Sequence, residues 1–113
     1  MLVKKNQSRK HQNSKSCTVW EYEYPSESFS FATALINGRY PDKGRCANLG
    51  CEEVYYVISG EGIIHSEFGD FKIEQGDVYS FKKGEKYYVE GKNLFVGLAN
   101  APRWRLDQYG SFD

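Results

Sequence analysis

The sequence predicts an all-β fold, a small barrel of about eight to nine antiparallel strands. Three observations predict it. Glycines recur at near-even intervals through the second half, at Gly60, Gly69, Gly76, Gly84 and Gly91. Between them stand EVYYVIS, GIIHSE, DFKIE, DVYSF, KYYVE and NLFVGLA, each about strand length and rich in β-branched or aromatic residues. Helix has almost no room among them. A chain of 113 residues is long enough for one packed domain and too short for two independent cores.

Taken in order, residues 1–17 carry Lys4, Lys5, Arg9, Lys10 and Lys15 with no acid. KKNQSRKHQNSKS holds too little apolar surface to offset the entropy of ordering it, so this stretch is expected to be a disordered basic tail before a domain over residues 18–113. TVWEYEY then alternates and stops at Pro25, which predicts an edge strand. In SFSFATALING, Phe29, Phe31, Thr33 and Leu35 fall on one side and Ala32, Ala34 and Ile36 on the other. NGRYPDKGRCANLGCEE, broken by glycines and a proline, predicts a long loop of the kind that often carries binding. Tight turns are expected at Phe68-Gly69-Asp70, Gln75-Gly76-Asp77, Lys83-Gly84-Glu85 and Gly91-Lys92-Asn93. PRWRLDQY reads as a last strand over an open edge, with SFD frayed beyond it.

The net charge is zero, but removing the basic stretch leaves ten basic and fifteen acidic residues, a body near −5. That charge disfavours nucleic-acid binding by the domain and leaves only the tail as a nucleic-acid contact. No run approaches the ~20 apolar residues of a membrane span. Three cysteines without a dense spacing pattern, and an N-terminus without the apolar centre of a signal peptide, predict a cytoplasmic protein.

With these residues on the page, the chain resembles the small single-domain cupins, a double-stranded β-helix or jelly-roll family, over about residues 29–105. The family's first motif is G-x5-H-x-H-x3,4-E-x6-G, and EEVYYVISGEG matches its second half through Glu53 and Gly60. The second, G-x5-P-x-G-x2-H-x3-N, is matched at its glycines by GDVYSFKKGEKYYVEG, through Gly76 and Gly84. The resemblance implies a jelly-roll barrel, metal ligands at three histidines and a glutamate, and a homodimer through edge strands. Only the glutamate of that ligand set is present. Cys46 and Asn48 stand where the first histidine pair would be, Tyr87 at the third histidine, Lys82 at the proline and Gly91 at the asparagine. The chain has two histidines, one of them His11 in the basic stretch, so a metal-poor cupin with no cofactor is expected.

The remaining site residues give two readings. In the first, Glu53 at the barrel mouth, with Asn48, Tyr55, Tyr87 and Arg45, lines a pocket for a small polar ligand such as a sugar or organic acid, or the domain is structural or regulatory. Arg39, Lys43, Arg103 and Arg105 extend the same basic rim, suited to oxyanions. In the second, the protein is an enzyme, either an isomerase or epimerase-like cupin with Glu53 and Tyr87 as acid and base, or a dioxygenase-like one. The dioxygenase would hold a divalent metal such as zinc on Cys46, Cys51, Glu53 and His65. A tyrosine base requires its phenol to be tuned far below its usual value near 10.

Overall fold

A computed structural model describes residues Met1–Asp113. Nine strands form: β1 (Arg9–Ser14), β2 (Cys17–Tyr22), β3 (Ser30–Tyr40), β4 (Arg45–Asn48), β5 (Glu52–Ser66), β6 (Gly69–Glu74), β7 (Val78–Phe81), β8 (Tyr87–Ala101) and β9 (Tyr109–Phe112). The only helical segments are single 3-10 turns at Lys5–Gln7 and Leu106–Gln108, so the fold is all-β as expected. No helix is long and apolar enough to cross a membrane.

Every pairing is antiparallel, and β8 is the central seam. It pairs with β3 on one side and with β5 on the other, while β5 turns its first half to β7 and its second half to β6. β2 and then β1 extend the sheet from β3, and β4 carries β9. The sheet curls around an interior in which Ile36, Val57, Ile64, Val89, Leu94 and Val96 are fully buried. Burying such side chains contributes roughly 1.5–3 kcal/mol each.

Both long strands run fifteen residues because glycine bends them instead of ending them. At Gly60 (φ +77°) a Cβ would lie 1.9 Å from the Asn93 carbonyl oxygen, and at Gly91 it would lie 2.3 Å from that of Ile36. Only glycine allows the backbones to cross so closely. The expected turn at Gly91-Lys92-Asn93 is therefore corrected: it lies inside β8. Bulges between Val57 and Glu61 also reverse the alternation of β5. Glu53, Tyr55 and Val57 face the interior before the bulge, Ile64 and Ser66 after it, and His65 is turned outward.

Four other expectations change. The basic stretch is not a disordered tail: Arg9–Ser14 pairs along β2, so the sheet begins before residue 18. β2 is consequently an inner strand. Within the expected long loop, β3 continues to Tyr40 and Arg45–Asn48 forms β4. The C-terminus is not frayed, because Tyr109–Phe112 pairs with β4. The alternation read in SFSFATALING holds, with Ala32, Ala34 and Ile36 buried.

The β7–β8 turn is held by one buried side chain. Glu85 is 3% exposed and accepts hydrogen bonds from Ser66 Oγ (2.6 Å), the Tyr79 hydroxyl (2.6 Å) and the Lys82 backbone N–H (2.8 Å). Beside it, Phe81 packs against Tyr55, Tyr79 and Tyr87 at ring separations of 4.9, 4.7 and 4.2 Å. This aromatic cluster fixes Tyr55 and Tyr87, which both reach the cavity.

Candidate functional site

Several strands begin as apolar series along their inward face and become polar at the same end of the barrel. On β5 the order is Val57, Tyr55, Glu53; on β8 it is Val96, Leu98, Asn100; on β2 it is Cys17, Val19, Glu21. Strand register sets Glu53 opposite Asn100, and Asn100 opposite Ser30. A cavity of about 280 Å³ opens over this polar band. Ala32 and Ala34 lie along its floor, and their small side chains leave the space that larger ones would fill.

Glu53 is the chemical centre of the cavity. It is 7% exposed, and its carboxyl accepts from Asn100 Nδ2 at 2.9 Å and from the Tyr87 hydroxyl at 3.5 Å. Burial pushes the carboxyl up to about 7, against the two hydrogen bonds, which favour the ionised form. The group thus exchanges a proton near neutrality. Tyr87 and Tyr55 move the other way from what a base requires: burial raises both phenols well above their ordinary value, so they stay protonated, and Tyr87 donates to Glu53. The structure places Tyr87 as a donor to Glu53, without the lowered phenol that a base role requires.

The structure brings Glu53, Tyr55, Tyr87 and Asn48 to the cavity and leaves Arg45 outside it. Asn48, 4% exposed, also fastens the C-terminal segment: its Oδ1 accepts from Trp104 Nε1 (2.9 Å) and Gln108 Nε2 (3.1 Å). Of the basic rim, Arg103 and Arg105 reach the cavity. Arg103 is tied to the Tyr24 carbonyl oxygen and Arg105 to Glu27, while Arg39 bonds the Pro41 and Gly44 carbonyls and stacks on Tyr88.

The Cys46, Cys51, Glu53 and His65 metal set does not assemble. His65 faces outward, bonded to Asp70 and Glu90 at 2.8 and 2.6 Å and stacked on Tyr88. At the cupin ligand positions, burial holds the Cys46 thiol up at about 11, Asn48 already accepts two bonds, and Tyr87 keeps its proton. With one carboxylate, one thiol and no imidazole, these positions lack the third ligating side chain that a divalent ion requires. No group of three His, Cys, Asp or Glu side chains converges elsewhere in the molecule.

Sequence reading missed Asn100, the pair Tyr40 and Tyr109, whose hydroxyls meet at 2.8 Å, and a wall supplied by β1. In that wall His11 Nε2 lies 2.8 Å from Glu21 Oε1, and Glu21 Oε2 accepts from Arg9 at 2.6 Å. The signal for Asn100 and Glu21 was available, since each is a polar residue ending an inward apolar series. For β1 there was none, because a strand facing a polar cavity shows no apolar alternation.

No family model matches the chain. Against known structures, the barrel superposes on Streptomyces Pac13, described as a unique nucleoside dehydratase, with TM-score 0.87 over 99% of this chain and 92% of that one, at 15% identity. Pac13 variants have been solved with uridine. The cupin domain of Schizosaccharomyces pombe Cnp3 gives TM-score 0.68 over 83% of this chain and 68% of that one, at 13% identity. In sequence, a Saccharolobus solfataricus protein named "putative dioxygenase" is 34% identical over 74 residues, 56% of this chain. The match spans 18% of that protein's length. At these identities the structural likenesses are likenesses of fold.

Proposed function

We propose that this chain, a barrel of the cupin fold, binds a small polar ring-bearing molecule of the nucleoside or sugar class in its cavity and transfers a proton on it through Glu53. The observation that carries the reading is the carboxyl itself: buried, fixed by Asn100 and Tyr87, and set at the cavity with an affinity for protons near neutral pH. A general acid or base works best when its pKa lies close to the working pH. Asn100 Nδ2 holds one carboxyl oxygen in place, and the Tyr87 hydroxyl steadies the other as charge appears on it. The aromatic faces of Tyr55, Tyr87 and Trp104, with their polar edges, suit a ring that carries hydroxyls.

The likeness to Pac13 supports the nucleoside end of that class, and elimination of water is a reaction in which a buried carboxyl has a natural part. Ionised Glu53 takes the proton from the carbon beside the one that bears the hydroxyl; that C–H electron pair becomes the second bond of a C=C as the C–O bond breaks, and Glu53 passes the proton to the departing hydroxyl, which leaves as water. The reading that invokes a metal-dependent dioxygenase has no supporting donor set here. Calorimetric titration with uridine, ribose and small carboxylic acids, repeated on Glu53→Gln and Tyr87→Phe, tests the proposal. Binding of at least one ring-bearing probe, with turnover lost in Glu53→Gln, is expected. Absence of binding by all of them overturns it.

A further inference from the structure

The cavity has a second polar pole away from Glu53, and it lies on the first strand. His11 gives Nε2 to Glu21 Oε1 at 2.8 Å, and Arg9 fixes the same carboxylate from its other oxygen at 2.6 Å, with a further contact to Glu23 at 3.3 Å. A carboxylate on Nε2 accepts a proton from it, so in the neutral ring Nδ1 is an acceptor. Nδ1 makes no bond to the protein. No buried side-chain nitrogen or oxygen is left without a partner, so this atom is accessible, and its ring lines the same cavity as Glu53.

Register gives the separation of the poles. Going from β5 to β1 along the sheet crosses β8, β3 and β2, four strand spacings of roughly 4.8 Å each, and the register His11–Val19–Ala34–Val96–Val57 sets His11 level with Val57, four residues along β5 from Glu53. The curled sheet makes the direct path shorter than that arc, with Ala32 and Ala34 lying low between the walls. A single small acid or a lone sugar ring engages one pole. Engaging both takes a two-ended molecule.

We infer that His11, held by Glu21 and Arg9, is a specificity-determining residue that accepts a hydrogen bond from the far end of a two-ended ligand, whose hydroxyl-bearing ring rests at Glu53. This inference rests on the proposed function above. The ligand class it selects is a ring polyol joined to a planar group with an N–H donor, as in a nucleoside with an imide edge.

The test is calorimetric binding of uridine and of ribose to the full chain and to His11→Ala, His11→Gln and Glu53→Gln, with thermal melts confirming that each variant folds. Gln at position 11 keeps a donor for Glu21 and so keeps the tie between β1 and β2, but it lacks the free ring nitrogen. The expected result is that wild type binds uridine at least tenfold more tightly than ribose, and that both His11 variants lose this preference while binding ribose unchanged. Uridine binding by His11→Gln equal to wild type overturns the inference and leaves the proposed function standing, provided Glu53→Gln is impaired. No binding of either probe by wild type overturns both.

Discussion

Replacing Glu53 with Gln should change how stability depends on pH, by an amount the structure fixes. The Glu53 carboxyl has its pKa raised from 4.5 to about 7, chiefly by burial. Below pH 4.5 both folded and unfolded chains hold the proton, and the contribution to stability is complete. Between the two values the unfolded chain releases a proton that the folded barrel keeps, so stability falls as pH rises, and above about 7 the loss is finished. At 1.36 kcal/mol per pKa unit the difference is about 3 kcal/mol. In a domain of this size that is on the order of 10 °C in melting temperature. Gln keeps the carbonyl oxygen that accepts from Asn100 and has nothing to ionise. Thermal melts of wild type and Glu53→Gln from pH 4.5 to 8.5 therefore diverge, the variant gaining relative to wild type as pH rises. Other carboxylates act equally in both proteins and cancel in the difference. Parallel melting curves across that range would refute the assignment of Glu53 as a buried, proton-retaining group.

Other outcomes follow from single contacts. Tyr87→Phe removes a donor that favours the ionised carboxyl, so the pH window over which wild type and Glu53→Gln diverge should extend upward when the comparison is repeated in the Tyr87→Phe background. Glu85→Ala strips hydrogen-bond partners from Ser66, Tyr79 and Lys82 and should cost about 3 kcal/mol or more in urea unfolding. Glu85 is not part of the cavity lining, so ligand affinity of the folded fraction should be unchanged. Gly60→Ala places a Cβ against the Asn93 carbonyl at a φ of +77°, and insoluble expression or a melting temperature lowered by more than 10 °C is the expected readout. Deleting residues 1–14 should leave a folded, less stable barrel, visible by circular dichroism, that has lost its preference for uridine over ribose.

Much of the barrel was legible because its strands are half-buried. The alternation in SFSFATALING separated the two faces of β3, and the cupin glycine frame located Glu53. Three kinds of feature were not legible. Glycine marks both turns and bends, and the sequence does not distinguish Gly69, at a hairpin, from Gly60 and Gly91, where strands continue under close backbone approach. The bulge that turns His65 away from the interior depends on how β5 meets β8, a long-range contact. The composition of RKHQNS reports affinity for water, and it does not show that the water-like partner is a polar cavity and the Glu21 carboxylate on β2.

The first strand is joined to the sheet along one seam only, and none of its six residues is buried. It is a replaceable panel: Arg9, His11 and Asn13 line the cavity, yet the packed interior does not rely on them. This short ribbon can therefore be exchanged at His11 and its neighbours to reshape one wall of the cavity while the Glu53–Asn100–Tyr87 cluster is left intact.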